Sequence, residues 1–414
     1  MGRHIFGMKD GPEYLRMLYL EKQTGKSLIN KSPKAGTLAA EAYFEQKLDH
    51  FDTSNTNTWK QVSNDALPFV AWAKKFGAIM FCLEHRFYGQ SRPTPNQSVE
   101  NLKYLSSRQA LKDLEYFIES MNAKHNLKNP KWITFGGSYP GALSLWARQA
   151  YPKLIAGAVG SSAPVNAVVD FWAYLEVVEN ALRTHSNDCA ENVRKGFEAI
   201  EDLLRSPQGR DKLSKIFVLK PTFSELGHLT YNDIQNFYSI IYGNFQYAVQ
   251  YSEDNTVSTP FDHTSNNYTD MIDYLKVEEF GNTAEFDSSF RSWFWQKCTE
   301  FGYYQSTDGG PRGIFGSSSP LTIRINICND AYGSAYNSES ISKAVHNTQM
   351  HYGGSERYRG TNVVIPNGSI DPWHALGKYT SNHDSVVPFL INGTAHCADM
   401  YPPSDKDKPD LKRA

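Results

Sequence analysis

A mostly parallel, doubly wound α/β sheet is the fold that this sequence predicts, and two patterns support it. Gly77–Leu83 and Ile155–Gly160 are continuous apolar runs without alternation, which is typical of strands buried on both faces of a parallel sheet. Between them, Ser106 and Gln109 form a capping box that opens a helix with one apolar face. Strands that alternate with helices in this way indicate parallel strands joined by crossovers.

The turn around Ser138 is the clearest chemical signal. A strand-like run, Lys131–Phe135, leads through two glycines to the serine, and a helix-like run, Ala142–Arg148, follows it. A serine on a tight, glycine-flanked turn from strand to helix is the nucleophile elbow of an α/β-hydrolase. The spelling departs from G-x-S-x-G, because Pro140 stands two residues after the serine and Gly141 three. An ordinary Gly-Ser turn is the alternative interpretation.

A long helical segment interrupts the sheet pattern. Helix-like stretches such as Phe171–Leu182 follow one another without intervening strands, and strand patterns return at Asn362–Ile365 and Val386–Ile391. An inserted cap explains this more economically than a separate binding domain. We therefore predict an N-terminal extension, a first part of the hydrolase domain, a helical cap insertion and a second part of the hydrolase domain, at 1–47, 48–167, 168–330 and 331–414.

Two late loops supply the partners that a nucleophilic serine needs. Asp371 follows the strand-like run Asn362–Ile365, and His396 follows the next one, so the chain order is Ser138, Asp371, His396. This is the order of an α/β-hydrolase, in which the histidine takes the serine's proton and the acid orients the histidine. We predict these three residues as a catalytic triad and the backbone N–H of Tyr139 as one oxyanion donor.

Neighbouring residues are weaker candidates for the triad. His374 lies three residues past Asp371, and His383 and Asp384 precede their strand, which places them at the opposite edge. Asp399 fits a solvated neighbour of the histidine.

A second polar patch, Glu84–Ser91, follows the apolar run Gly77–Leu83. Such a patch at the carboxyl end of a strand is a position where α/β sheets hold ligands. A structural loop held by an Arg86–Glu84 contact explains it equally well.

Composition excludes several classes of function. A net charge of −2 argues against nucleic acid as a partner, and no apolar run reaches the roughly 20 residues of a membrane span. None of the five cysteines forms a CxxC pair, so we expect neither a metal nor another cofactor. Asp10 and Glu13 stand where a signal peptide needs an apolar run. N-glycosylation sequons, which hint at secretion, occur at Asn30, Asn96, Asn267, Asn367 and Asn392.

These motifs together resemble one family. The segments that carry the resemblance are Leu83-Glu84-His85-Arg86-Phe87-Tyr88-Gly89, Phe135-Gly136-Gly137-Ser138-Tyr139, Ser161-Ser162-Ala163-Pro164, Cys298-Thr299-Glu300-Phe301-Gly302, Asp371-Pro372-Trp373 and His396-Cys397. The chain is similar to the prolyl serine exopeptidases, which include lysosomal Pro-X carboxypeptidase and dipeptidyl peptidase II, and most of all to the thymus-specific serine protease branch.

The resemblance implies an α/β-hydrolase with a helical cap that cleaves short peptides, typically next to proline, in lysosomes or outside the cell. It also implies a disulfide between Cys298 and Cys328. Trp373 could line an apolar pocket for a proline ring or pack in the core. Glu300 could meet the amino end of a substrate, although a structural role is favoured. A homodimer is a further hypothesis.

The sequence departs from this family between Gln61 and Val62, where the family has early strands and a Gly-Gly-Glu-Gly-type loop. That loop is expected to supply the second oxyanion donor, and losing one such donor typically costs about 10²–10³ in kcat. The terminal helix after the histidine loop is missing too. Two alternatives therefore stay open: a catalytically impaired or inactive relative, and a carboxylesterase or lipase on the same fold.

Overall fold

The structure is a computed structural model, and it describes residues 42–64, 73, 75–251, 267–281, 287–310, 313–401, 405 and 407–413. Its strands are β1 Ala42–Lys47, β2 Thr58–Asn64, β3 Cys82–Leu83, β4 Trp132–Gly137, β5 Ile155–Ser161, β6 Val168–Asp170, β7 Gly302–Tyr304, β8 Val363–Gly368 and β9 Val386–Ile391. Its helices are α1 Val99–Leu102, α2 Ser107–Lys124, α3 Tyr139–Ala150, α4 Ala173–His185, α5 Asn187–Leu204, α6 Pro207–Ile216, α7 Tyr231–Gln250, α8 Tyr268–Lys276, α9 Ser289–Gln296, α10 Leu321–Tyr332, α11 Ser338–Tyr352 and α12 Pro409–Arg413. Short turns of π- and 3₁₀-helix cover Lys297–Phe301, Pro372–Leu376 and Ala398–Met400.

The centre of the molecule is a parallel sheet in the order β4-β5-β8-β9. Every neighbouring pair in it is parallel, and one row of residues runs across all four strands, from Phe135 through Val159 and Val364 to Val387. The predicted α/β class is therefore confirmed. The order also places the late strand β8 next to the early strand β5, and β9 next to β8. The whole predicted cap lies between β5 and β8 in sequence.

Helix α3 covers one face of this sheet. Gly160 lets the helix approach closely, since a Cβ there would lie 2.5 Å from Leu145 Cγ. The opposite face leaves apolar side chains in solvent: Ile133 is 54 % exposed, Val364 37 % and Val387 46 %. The expectation of burial on both faces applies to β5, whose residues are all buried or half-buried, and it does not extend to β4, β8 and β9.

The predicted strand at Gly77–Leu83 is also different. Only Cys82 and Leu83 form a strand, and it pairs antiparallel with β2 in a separate sheet of order β1-β2-β3. Ile79 is 58 % exposed. An apolar run in the sequence predicts only that a segment favours burial. The neighbouring strand with which the segment pairs decides how long the resulting strand is and whether it runs parallel or antiparallel.

The region between β5 and β8 is mostly helical and also contains two strands. A Thr and an Asp three residues apart have the spacing of a capping box, and Thr230 and Asp233 form one at the start of α7. Contrary to the prediction, β6 and β7 pair in parallel. Gly302 permits this contact, because a Cβ there would lie 2.2 Å from the carbonyl oxygen of Val168. Strands of three residues are too short to leave a pattern in the sequence.

Ser106 is the N-cap of α2, but the reciprocal bond of a capping box is not formed. Its side chain accepts the backbone N–H of Gln109, as predicted. The Gln109 side chain does not return the bond to Ser106. It instead donates to Asp49 and accepts the backbone N–H of His50, and so joins α2 to the segment after β1.

Arg86 holds the Glu84–Ser91 loop, but its partner is Asp113 and not Glu84. The two side chains form a bidentate pair, with Arg86 Nε 2.7 Å from Asp113 Oδ2 and Nη2 2.6 Å from Oδ1. Arg86 Nη1 donates to the carbonyl oxygens of Leu48 and Tyr104. Both charged groups are buried. The structural interpretation of this loop therefore fits, with a partner 27 residues away in sequence that local spacing did not reveal.

Arg86→Ala should lower the free energy of unfolding by about 3–5 kcal/mol, because it leaves the buried carboxylate of Asp113 without its main partner. Urea denaturation measures this. Arg205→Ala is the control: Arg205 is exposed and pairs with Glu201 within one helix, so its loss should cost at most about 1 kcal/mol. Equal small effects from both variants would contradict this account of the loop.

A lysine is buried in the cap beside Arg324. Lys297 Nζ lies over the rings of Phe294 and Tyr304, at 5.4 and 5.2 Å from their centroids. Its side chain is 6 % exposed. Burial, together with the charge of Arg324, lowers the pKa of Lys297 to about 7. A basic group whose pKa is lower in the folded chain than in the unfolded chain destabilises the fold. It does so at every pH at which the group is still protonated in the unfolded chain.

We expect Lys297→Met to raise the melting temperature. The unfolded chain binds more protons than the folded chain between pH about 7 and 10.5, so the stability of the parent protein rises with pH in that window. The gap in melting temperature between variant and parent should be constant below pH about 7 and narrow above it. Calorimetry across this window measures the gap, with the exposed Lys195→Met as control. A gap that does not change with pH would refute the assignment.

Candidate active site

Ser138 lies on a strained turn between β4 and α3. Its φ is 61° and its ψ is −132°, a conformation that costs a non-glycine residue about 1–3 kcal/mol. The glycines make the turn possible: a Cβ on Gly136 would lie 2.1 Å from the carbonyl oxygen of Pro140, and one on Gly141 would lie 2.8 Å from that of Ser161. The structure thus places the serine on the strand-to-helix elbow that the sequence predicted.

Asp371 and His396 meet below the surface. His396 Nδ1 lies 2.9 Å from Asp371 Oδ2, and both side chains are fully buried. The other carboxylate oxygen accepts the backbone N–H of Trp373 at 2.9 Å. Because a carboxylate only accepts hydrogen bonds, Nδ1 must carry the proton, and Nε2 is left as the free base when the ring is neutral.

The charge of the pair determines how His396 titrates. Burial by itself lowers the pKa of His396, but the charge and hydrogen bond of Asp371, together with the neighbouring Cys397, outweigh it and raise the pKa well above its ordinary value. The ring therefore holds a second proton more strongly than a free histidine does. Asp371 thus stabilises the imidazolium form of His396.

The histidine loop packs against the serine elbow. A Cβ on Gly137 would lie 2.8 Å from Cys397 Sγ and 2.5 Å from Met400 Sδ. His396 Nε2 is buried and has no hydrogen-bond partner among the described residues. The structure thus brings the loops of Ser138 and His396 together, and it leaves the hydrogen bond between the two side chains unformed.

Tyr139 connects the elbow to the Glu84–Ser91 loop. As the first residue of α3, its backbone N–H has no partner within the helix. Its hydroxyl accepts from Gln296 Nε2 at 2.9 Å and lies 3.0 Å from His85 Nε2. His85 Nδ1 faces the carbonyl oxygen of Arg86 at 2.7 Å, so Nδ1 donates and Nε2 accepts from Tyr139. Burial lowers the pKa of His85 to about 4, which keeps this ring neutral.

Trp373 lies in an aromatic cluster beside the histidine. Its ring centroid is 6.3 Å from that of His396, 5.4 Å from Phe171 and 5.5 Å from Tyr303. Its indole N–H donates to Gln250 Oε1 at 2.9 Å. The tryptophan is 9 % exposed and packs in the core here.

Gln250, the last residue of α7, is a site residue that sequence reasoning missed. Its carbonyl oxygen accepts the backbone N–H of His396 at 2.9 Å, and its side chain also bonds Tyr174 and Tyr251. One residue of the helical region thus holds both the histidine loop and Trp373. No local pattern could have revealed it, because a glutamine at the end of a helix is ordinary.

Glu300 and the two cysteines lie around the π-helical turn Lys297–Phe301. Both carboxylate oxygens of Glu300 accept bonds from Ser107, at 2.7 to 3.1 Å. Glu300 thereby caps the start of α2, which is a structural arrangement. The Cys298 and Cys328 sulfurs are 2.00 Å apart in a disulfide that ties this turn to α10.

The competing residues lie elsewhere or in other contacts. Asp399 is half-buried, and its Oδ1 accepts a hydrogen bond from the Ser161 hydroxyl at 2.5 Å. His374 bonds Tyr379, and His383 is exposed and bonds Ser385.

A metal-binding cluster and a membrane-spanning helix are both absent from the described residues. Within the ranges given above there is no group of three or more His, Cys, Asp or Glu side chains that could hold a metal ion. No helix in those ranges is both long enough and apolar enough to cross a membrane.

Comparison with protein families decides the class. The model of the serine carboxypeptidase S28 family matches residues 60–265 and 258–414. The chain belongs to this family. It is therefore a serine-type peptidase, a hydrolase with the α/β-hydrolase fold, and the family resemblance seen in the sequence is confirmed.

Similar proteins occur in animals and in a plant. A candidate serine protease of Caenorhabditis elegans is 40 % identical, over 90 % of this chain and 85 % of that protein. The human thymus-specific serine protease is 30 % identical, over 93 % of this chain and 86 % of that protein. Mouse lysosomal Pro-X carboxypeptidase is 26 % identical, over 92 % and 88 %. The human alignment runs over 453 positions, more than the 414 residues of this S28 chain, so the relative has internal residues that this chain lacks.

Asp371→Asn should lower the pKa of His396, because it removes the negative charge that stabilises the imidazolium. Titration of the histidine ring signals by NMR measures the shift, and His396→Gln identifies the signal among those of the 12 histidines. Asp384→Asn, at an exposed position, is the control and should leave the pKa unchanged. An unmoved titration in the Asp371 variant would show that the two side chains do not interact.

Proposed function

We propose that this S28 chain is an exopeptidase that hydrolyses short peptides next to proline through an acyl-enzyme on Ser138. The observation that carries the proposal is the fully buried Asp371–His396 pair, 2.9 Å apart, whose loop packs against the strained elbow of Ser138. Nucleophile, base and orienting acid in this arrangement are what acyl transfer requires.

The proposed steps follow from the geometry. Ser138 Oγ attacks the peptide carbonyl while its proton passes to His396 Nε2, which has no other partner among the described residues. Asp371 stabilises the imidazolium that forms. The backbone N–H of Tyr139, at the positive end of α3, faces the developing oxyanion. His396 then protonates the leaving amine, and water hydrolyses the acyl-enzyme by the same path in reverse.

A preference for proline is supported by the aromatic surroundings of His396. The ring centroid of Trp373, which is 9 % exposed, lies 6.3 Å from that of the histidine. Phe171 and Tyr303 also pack against the tryptophan. A proline ring is compact and apolar and suits such aromatic surroundings. The name of the mouse relative, a Pro-X carboxypeptidase, points to the same preference.

A lysosomal or extracellular location is proposed on the same basis, since one relative is a lysosomal enzyme. The structure separates the glycosylation sequons. Asn392 is exposed at the end of β9, whereas Asn367 is 1 % exposed and inaccessible in the folded chain. Asn30 lies outside the described residues.

A second candidate, a catalytically impaired peptidase, is favoured by one observation. The hydrogen bond from Ser138 to His396 Nε2 is not formed, and Tyr139 is the one oxyanion donor that we can assign among the described residues. The carboxylesterase alternative has no comparable support, because the relatives of this chain are described as serine proteases and a carboxypeptidase.

Ser138→Ala should abolish labelling by a fluorophosphonate probe and hydrolysis of a proline-containing reporter peptide, because the attacking hydroxyl is gone. Ser381→Ala, at an exposed serine, is the matched control and should react like the parent. A reporter with alanine in place of proline measures the preference. Undiminished turnover by Ser138→Ala would refute the assignment. A folded parent that takes no label would favour the impaired peptidase.

A further inference from the structure

Ser161, the last residue of β5, touches both the nucleophile and the loop of the base. Its carbonyl oxygen accepts the backbone N–H of Ser138 at 2.9 Å. Its hydroxyl donates to Asp399 Oδ1 at 2.5 Å, across 238 residues of sequence. Ser161 is fully buried. A single residue therefore bonds the elbow through its backbone and the histidine loop through its side chain.

Ser162 extends the same junction. Its backbone N–H donates to the carbonyl oxygen of Pro366 in β8, at 2.8 Å. Its hydroxyl accepts the backbone N–H of Cys397 at 2.9 Å. Cys397 has a φ of 56°, a left-handed conformation that costs free energy and persists only when neighbours hold it. The histidine loop is thus held to the end of β5 on both sides of Ala398.

The other contacts of His396 serve a different purpose. Asp371 orients the ring, and Gln250 holds the backbone of the histidine from the helical side. Neither contact reaches Ser138. The distance between nucleophile and base needs its own restraint, because a misplacement of about 1 Å can cost roughly 10² in rate.

We propose that Ser161 and Asp399 are a positioning pair that holds the His396 loop in register with Ser138. The proposal rests on the proposed function, in which Ser138 and His396 exchange a proton. Ser161 and Asp399 take no part in those steps themselves. They act by fixing where Nε2 lies relative to the serine hydroxyl, and Ser162 supports them from the neighbouring position.

Hydrogen–deuterium exchange tests the register without requiring activity. Ser161→Ala, a change in β5, should speed exchange in the peptide that spans 395–400. Asp399→Ala, a change in the histidine loop, should speed exchange in the peptide that spans 136–142. Asp399→Asn keeps a carbonyl acceptor for the Ser161 hydroxyl and should stay close to the parent. Ser144→Ala is the control: it removes another buried hydroxyl, which bonds Thr134, and should leave exchange in the peptide that spans 395–400 unchanged.

Fluorophosphonate labelling then measures the consequence at Ser138. Ser161→Ala and Asp399→Ala should each slow labelling about 10- to 100-fold. In hydrolysis of the proline-containing reporter peptide, kcat should fall and KM should stay nearly unchanged. The double variant should be no slower than either single one, because both remove the same bond. Asp399→Asn should restore most of the rate, and Ser144→Ala should label like the parent.

The two proposals fail in different ways. Exchange that stays at the parent rate in both remote peptides, or labelling as fast as that of the parent in both alanine variants, would overturn the positioning pair and leave the peptidase intact. A folded parent that never labels, but whose remote peptides respond as described, would overturn the proposed activity and support the positioning pair.

Discussion

The strained backbone at Ser138 is the constraint on which the site depends. A positive φ at a serine is tolerated because glycines at 136 and 141 let the chain turn within a few residues. The turn is held from outside as well, since the amide of Ser138 donates to Ser161 of the neighbouring strand. Helix α3 begins at once, with Tyr139 as its first residue. The strained turn, the proposed oxyanion donor and the proposed nucleophile therefore belong to one local structure.

The strand order converts separate loops into one site. In β4-β5-β8-β9, four parallel strands end side by side, and each end leads to one component of the proposed site: Ser138, the pair Ser161 and Ser162, Asp371, and His396. Because the site is buried, its charged and polar side chains need hydrogen-bond partners within the protein. A carboxylate and an imidazole with no exposure are tolerated because each bonds the other, and their pairing also raises the pKa of His396.

The helical region does more than cover the site. Gln250 holds the backbone of His396 and the indole of Trp373, and Gln296 holds the hydroxyl of Tyr139 beside the nucleophile. On the other side, Arg86 and Asp113 hold the loop that presents neutral His85 to the same tyrosine. The elbow of this S28 peptidase and the residues around it are thus supported by three segments that are distant in sequence.

The sequence by itself determined the elements whose cause is local: the glycine-flanked elbow, the capping of α7, and the order of serine, acid and histidine after strands. Tertiary structure decided everything that depends on which segments become neighbours. It paired Arg86 with Asp113, shortened the strand at Gly77–Leu83, left Val364 and Val387 exposed, and bonded Asp399 to Ser161. The physical reason is that propensity and spacing act over a few residues, whereas a hydrogen bond across 238 residues exists only once the sheet has assembled.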